Sequence, residues 1–261
     1  MSPLVSVIVP VYNGARFLPD VITTVREQAY APLEVVLIDD GSTDGGGVLM
    51  DEIAFESSDW SVRVVHQPNL GAAGARNTGV ARARGGLIKF LDVDDLLPPG
   101  SIAAQVARLS AQPDLDILSG LVQMVLMPDA RLDNPVTATA APMLSFNLGA
   151  ALIRSDVIAR AGGFDQTMAA AEDMDFFLRC VEMDCTIAIA PTISLYYRRH
   201  ADNMTAADTL ARQQTHLMRC FRRSLARRRQ PDGTIIAPMR DWGSFLETME
   251  IDVSDKMEPS M

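Results

Sequence analysis

The sequence predicts an α/β protein: a mostly parallel central sheet with helices on both faces, and a helical extension at the C-terminal side. Three observations lead there. Short apolar, β-branched runs that read as buried strands alternate with segments of helical spacing. Turn chemistry rich in Gly, Asn and Asp punctuates them. Strands that alternate with helices pair in parallel, with the helices covering the sheet.

The elements follow in order. Val5 to Val11 is the first strand, and Asn13-Gly14 turns the chain into Phe17–Gln28, where Leu18, Ile22 and Val25 keep helical spacing. After Pro32, Glu34–Ile38 is the second strand. It stops at DDGSTDGGG, where Ser42, Thr43 and Asp44 are available as helix caps. Val48–Phe55 reads as a helix, Val62–His66 as the third strand, and NLGAAGARNTGVARARG as a Gly-rich entry into a helix. Leu87–Leu91 is the fourth strand. Pro98-Pro99-Gly100 precedes a helix from Ser101 to Ser110. Then DILSGLVQMVLM and PMLSFNLGAALIRSDVIARAGGFD predict further strands and a helix, with an irregular segment from Pro128 to Pro142. AAAEDMDFFLRCVEMD is a helix with an acidic entry. TIAIAPTISLYYRRH reads as two short strands broken by Pro191, Thr209–Arg229 as a long helix, and the residues from Asp252 as a polar, acidic tail.

Composition narrows the function classes. With 261 residues, 48% hydrophobic, the chain fits one large domain or one domain plus an extension. A net charge of −10 argues against a nucleic-acid partner. Cys180, Cys185 and Cys220 lack the spacing of a zinc site or a disulfide scaffold, which points to a reducing, cytoplasmic setting. The start MSPLVSVIVPVYNG has no basic region ahead of its apolar run, and Pro10 breaks that run, so it is not read as a signal peptide. No apolar run reaches membrane-spanning length.

Open sheets of this kind bind ligands beyond the carboxyl ends of their strands. The polar residues gather there: Tyr12 and Asn13, Asp39 and Asp40, and Asp92-Val93-Asp94-Asp95. Each cluster alone is compatible with a solvated turn or a helix cap; their coincidence at several strand ends points to a site. Carboxylates crowded as in FLDVDD repel one another. A Mg²⁺ or Mn²⁺ ion bound through one or two of them, with phosphate oxygens completing its shell, offsets the repulsion.

The ordered set VSVIVPVYNG, VLIDDGSTD, GARNTGVARARG, FLDVDD, GGFD, AEDMDFFLR and YRRH resembles the family 2 glycosyltransferases, inverting enzymes of the GT-A fold. The resemblance spans about residues 4–205. It implies a nucleotide-sugar donor, and an acceptor that is a saccharide or lipid-linked. It makes FLDVDD the family's D-x-D, with Asp92, Asp94 and Asp95 as metal ligands, and Asp94 also as a donor contact. It assigns Asp40 to the ring N–H of uracil or thymine, with Pro10 and Tyr12 packed around the base, which favours UDP or dTDP donors. It implies Arg76 on phosphate or base, Asp173 as the general base, Glu172 and Gly163 on the acceptor side, and His200 near the metal or diphosphate. Arg198 and Arg199 are expected to neutralise the departing diphosphate. Residues 1–205 form the expected catalytic domain, about 1–110 binding nucleotide and about 111–205 acceptor, and 206–261 the extension. The resemblance also fits a pathway building cell-surface polysaccharide or glycolipid.

HLMRCFRRSLARRRQ places Leu217, Phe221 and Leu225 at i, i+4, i+8 as an apolar stripe beside six arginines. Residues 212–229 are therefore either a helix docked on the domain or a peripheral contact with anionic membrane. A homo-oligomer is compatible with the sequence. A non-catalytic nucleotide-sugar-binding protein and a sugar nucleotidyltransferase are the rival readings; the second lacks its Gly-rich, Lys/Arg-bearing loop, because PVYNGARF follows the first strand.

Overall fold

The computed structural model describes residues 2–57, 60–126, 137–138, 141–168, 170–200, 203 and 210–229. The expected segment Pro128–Pro142 falls almost wholly outside the described residues, and the acidic tail from Asp252 lies entirely outside them.

The strands are β1 (Val5–Val11), β2 (Leu33–Asp39), β3 (Ser61–His66), β4 (Leu87–Phe90), β5 (Ile117–Leu126), β6 (Thr137–Ala138), β7 (Ala151–Arg154) and β8 (Ile187–Arg199). They form one sheet in the order β3-β2-β1-β4-β7-β5-β6, with β8 paired to β5. β3, β2, β1 and β4 run parallel, so their carboxyl ends share one edge. β7 enters antiparallel between β4 and β5, while β5 and β8 are parallel.

The helices are α1 (Leu18–Arg26), α2 (Gly46–Glu56), α3 (Gly71–Arg82), α4 (Ser101–Ala111), α5 (Ser155–Arg160), α6 (Glu172–Glu182) and α7 (Leu210–Arg228). Two cores result, one on each face of the sheet. Val5, Val7, Val9 and Val11 of β1 pack with Leu18, Val21 and Val25 of α1 and Ile102, Val106 and Leu109 of α4. Ile8, pointing the other way by the two-residue period of a strand, joins Ala73 and Ala75 of α3, Val157 of α5, and Phe176 and Phe177 of α6. The expected layering on both faces is met.

One element differs from expectation. The segment read as two strands broken by Pro191 is the single strand β8. Its pairing with β5 shifts register so that Gly120 alone stands opposite residues 190–192. A bulge tolerates a proline because its residues leave the regular ladder. Gly120 is required there: a Cβ on it would lie 2.0 Å from Ser194 Oγ.

Among the described residues, no helix is long and apolar enough to cross a membrane.

Candidate active site

The site lies at the carboxyl edge of β1, β2 and β4. The loop after β1 and the loop after β4 touch: a Cβ on Gly14 would sit 2.6 Å from Val93 Cγ1. Asn13, at φ 51°, accepts the backbone N–H of Thr43 at 2.8 Å and donates its own N–H to Ser42 Oγ at 3.1 Å, binding the first loop to the second. Tyr12 is 54% exposed at the open edge, and Pro10 is half-buried behind it.

Asp40 is turned into the protein. Its Oδ1 accepts Gln67 Nε2 at 2.7 Å and the Leu70 N–H at 2.8 Å; its Oδ2 accepts the Gly71 N–H at 2.9 Å. The start of α3, whose amides favour an anion, is therefore filled by this carboxylate. A carboxylate offers about four acceptor positions, so Asp40 retains little capacity for a base. Its neighbour Asp39 accepts the Ser42 N–H at 2.8 Å and lies 2.9 Å from His66 Nδ1. The imidazole hydrogen bond helps hold Asp39 below the usual carboxylate range against the opposing effect of burial, the largest single cause.

Of the four groups expected around one metal, Asp95 is turned away, while Asp92, Asp94 and His200 stay near the edge. Asp92 and Asp94 are partly open, their side chains 39% and 27% exposed. Asp95 is 1% exposed and turned inward, where its Oδ1 accepts the Arg198 N–H at 3.0 Å. The reason is the register of β8: the bridge between Leu96 and Tyr196 brings its end under the loop, and a buried N–H needs an acceptor. Burial, then the charges of Asp94 and Asp92, push the Asp95 carboxyl well above its ordinary range. Burial, followed by the charge of Asp92, raises Asp94 as well, opposed in part by His200.

His200 does reach the loop. Its Nε2 is 3.1 Å from Asp94 Oδ2, its ring stands 4.9 Å from that of Phe17, and its Nδ1 is buried without a hydrogen-bond partner. Asn203, unmarked by sequence reasoning, donates from Nδ2 to Asp94 Oδ2 and to the Arg198 carbonyl, both at 3.1 Å, and accepts the His200 N–H at 2.6 Å. An Asn three residues beyond a His is a signal for a local turn; nothing local signals its contact with Asp94.

Arg198 does not face the edge as expected. It is 1% exposed, pairs with Asp20 at 2.7 Å, stacks 4.9 Å from the Phe17 ring, and donates from Nε to the Asp94 carbonyl. It braces the acidic loop from below, while Arg199 is exposed.

Arg76 carries the largest departure from expectation. Its Nη2 donates to Asp92 Oδ1 at 2.7 Å and its Nη1 to Glu172 Oε1, with its side chain 8% exposed. The guanidinium is committed to two carboxylates rather than presented to a ligand. It thereby ties the acidic loop to the start of α6. Both carboxylates push the guanidinium up, although burial opposes them.

Asp173 follows Glu172 and is half-buried. Its Oδ1 accepts the Met174 N–H at 2.7 Å. Burial first, then the charge of Glu172, pushes its carboxyl up to about 6, against the pull of Arg76. Asp175 faces the other way and is 1% exposed, as its spacing from Asp173 predicts. The turn before α6 is set by Gly162 and Gly163, at φ 77° and 71°. Asn77 of α3 clamps it, donating to the Phe164 carbonyl at 2.7 Å and accepting the Phe164 N–H at 2.8 Å. Gly163 thus packs against Asn77 of α3.

Among the described residues, no three His, Cys, Asp or Glu side chains converge as a metal-binding group. Mg²⁺ and Mn²⁺ do not need such a cage, since one or two carboxylates with waters and phosphate oxygens suffice. Asp92 and Asp94, partly open and mutually repelling, fit that mode, with His200 Nε2 3.1 Å from Asp94 Oδ2.

Residues 6–124 match the sequence model of a family described as glycosyl transferase family 2. The chain is 39% identical over 121 residues to the glycosyltransferase GlyG of Streptococcus pneumoniae, a match covering 46% of this chain and 39% of that protein. It is 37% identical over 118 residues to EpsJ, an uncharacterised glycosyltransferase of Bacillus subtilis, covering 45% and 33% respectively. The chain thus spans well under half the length of these relatives. Its structure resembles a mannosyltransferase of Pyrobaculum calidifontis, solved with GDP-Man and Mn²⁺, at a TM-score of 0.71 and 22% identity, covering 95% of this chain and 70% of that one. It also resembles TarS of S. aureus in complex with UDP-GlcNAc, at a TM-score of 0.61 and 19% identity, covering 79% and 61%.

Proposed function

The chain belongs to glycosyl transferase family 2 through its residues 6–124 and has the GT-A fold, and from that premise we propose that it transfers a sugar from a nucleoside diphosphate donor to an acceptor hydroxyl with inversion. One observation carries the reading: Arg76 holds the acidic loop after β4 against the start of α6, so a carboxyl titrating near 6 stands beside the loop suited to a diphosphate.

In this reading the donor lies across the carboxyl edge of the sheet, its base against Tyr12 and Pro10, with UDP- and dTDP-sugars favoured. Asp40 shapes the base pocket chiefly by fixing the Leu70–Gly71 turn and contributes its remaining acceptor position to the base. Asp92 and Asp94 would hold Mg²⁺ or Mn²⁺, with His200 and Asn203 steadying Asp94. Bound there, the dication would screen the charge that grows on the departing diphosphate. Asp173 takes the proton of the acceptor hydroxyl as the new bond to C1 forms on the face opposite the leaving group. A carboxylate of raised pKa suits the work, being ionised near neutral pH yet more basic than an exposed aspartate. Glu172, held by Arg76, lines the acceptor side.

Residues 1–205 are the proposed catalytic unit, acting in the cytoplasm on a saccharide or lipid-linked acceptor. A peripheral membrane contact draws support from the outward face of α7. Leu217, Met218 and Leu225 are 36%, 52% and 46% exposed, among the exposed Arg219, Arg222 and Arg229. Of the stripe Leu217, Phe221 and Leu225, only Phe221 packs inward, beside the buried Cys220 and Ser224.

A thermal-shift panel of UDP-, dTDP- and GDP-sugars, with and without Mn²⁺, tests the proposal. A Mn²⁺-dependent rise in Tm with at least one nucleotide-sugar is the expected result. No shift with any of them removes it.

A further inference from the structure

Helix α7 lies outside residues 6–124, and the chemistry above does not use it. Its inner face is nevertheless bound to α6 by charge. Arg227 donates from Nη1 to Asp175 Oδ1 at 2.8 Å, and from Nε and Nη2 to Glu182 at 2.7 and 3.0 Å. Arg223 pairs with Asp165, just beyond the glycine turn, and its Nε lies 4.0 Å from Asp175 Oδ1. Asp175 is buried on α6, where Arg179 of the same helix reaches its other oxygen at 2.8 Å. A carboxylate out of reach of water is thus satisfied partly from its own helix and partly from α7.

Two turns before Arg227 on α7, Cys220 is fully buried against Met168 and Leu178. Its thiol lies 3.5 Å from the Ala171 carbonyl. Ala171 is the residue at φ 61° on which α6 begins, immediately before Glu172 and Asp173. A side-chain-bearing residue persists in the left-handed region only where its surroundings over-determine it. Here Cys220 of α7 meets its carbonyl, and Arg76 holds the residue that follows it.

We propose that α7 positions Asp173 for catalysis, with Arg227 and Cys220 as the positioning residues that lock the entry of α6. The inference rests on the reading of Asp173 as the base. Neither residue touches the reacting atoms. Arg227 fixes Asp175, half a turn past Asp173, and Cys220 fixes the peptide before Glu172. A small displacement of a base from its acceptor is enough to lower turnover steeply, while the donor, held by the strand ends, binds as before.

The test uses the full chain and four variants: Arg227→Ala, Arg227→Lys, Cys220→Ala and, as a control at an exposed position on α2, Glu52→Ala. Three quantities are read: amide hydrogen exchange in peptides covering 170–177, and kcat and KM for release of the nucleoside diphosphate from the nucleotide-sugar selected by the thermal-shift panel. Arg227→Ala is expected to speed exchange in that peptide and lower kcat about tenfold or more, with KM for the donor within about twofold. Arg227→Lys should recover much of kcat, and Glu52→Ala should match the parent. Wild-type kcat in both Arg227→Ala and Cys220→Ala overturns the proposal, as does a loss that falls on KM alone. Should Arg227→Ala fail to fold, Cys220→Ala leaves every ion pair intact and decides the matter. Asp173→Asn separates this inference from the one beneath it. Full turnover in that variant removes the base itself, whereas an inactive Asp173→Asn beside a fully active Arg227→Ala removes only the role of α7.

Discussion

Asp92, closing the fourth strand, and Glu172, opening the sixth helix, share one guanidinium. Arg76 donates to each from a different nitrogen, with its side chain 8% exposed and that of Glu172 12% exposed. The pairing links the loop after β4 to the start of α6 through a single side chain from α3.

Removing that link should destabilise the fold. Arg76→Met leaves Glu172 buried without a counter-charge and is expected to cost about 2–3 kcal/mol, less than a fully buried pair because Asp92 is 39% exposed. Urea unfolding measures it. Adding Glu172→Gln to Arg76→Met should recover part of the loss, and a purely additive pair would show that the two do not couple.

The proposed base sets a pH profile. With Asp173 titrating at about 6, kcat should rise through that pH and level off above it, since only the carboxylate accepts a proton. Asp173→Asn should abolish the rise and lower turnover by about 10²–10⁴-fold with donor affinity unchanged. Steady-state rates from pH 5 to 8, with titration calorimetry for the donor, check both.

Asp94→Ala should remove the Mn²⁺-dependent part of donor binding, and Asp95→Asn should retain it, because Asp95 faces the Arg198 amide rather than the edge. Calorimetric titration of UDP with and without Mn²⁺ distinguishes them. Equal loss in both variants would return Asp95 to the ligand set.

The two glycines before α6 should respond differently to alanine. Each sits in the left-handed region, so each substitution costs about 1 kcal/mol or more in backbone strain. At Gly162 the added Cβ meets nothing within 4 Å, whereas at Gly163 it lies 2.6 Å from Asn77 Oδ1. Gly163→Ala should therefore show the larger fall in Tm, by loosening the clamp of Asn77 on Phe164.

Lys89 tests the core beneath the site. It is fully buried on β4, bonded to Gln105 Oε1 at 3.0 Å, and burial pushes its ammonium down to about 7. The unfolded chain holds that proton up to about 10.5, so between those values the unfolded state binds more protons and stability from this group grows as pH rises. Below about 7 both states are charged, and the folded state bears the full desolvation cost. Lys89→Met should flatten this dependence in denaturant titrations at pH 7 and 9.

Much of the scaffold was legible in local patterns. The run Leu87–Leu91 and its acidic stop predict a strand with a loop at its carboxyl end, and the acidic entry of AEDMDFF predicts the start of α6; both stand as read. Pro191 was misread because the bulge that accommodates it depends on the register of a partner strand distant in sequence. The spacing of Leu217, Phe221 and Leu225 leaves open which face of the last helix docks; that helix turns Cys220 and Ser224 inward, since its arginines meet the acids of α6.

The sequence by itself determined which residue types stand at the strand ends, because turn chemistry and hydrophobic period are properties of neighbours along the chain. Only the tertiary structure decided whom each charge faces: Asp40 toward the start of α3, Asp95 toward β8, Arg198 toward Asp20, Arg76 toward Asp92 and Glu172. Electrostatic attraction weakens with distance through space and is indifferent to separation along the chain. The partners of a buried charge are therefore fixed only when the packed sheet and helices bring them within reach.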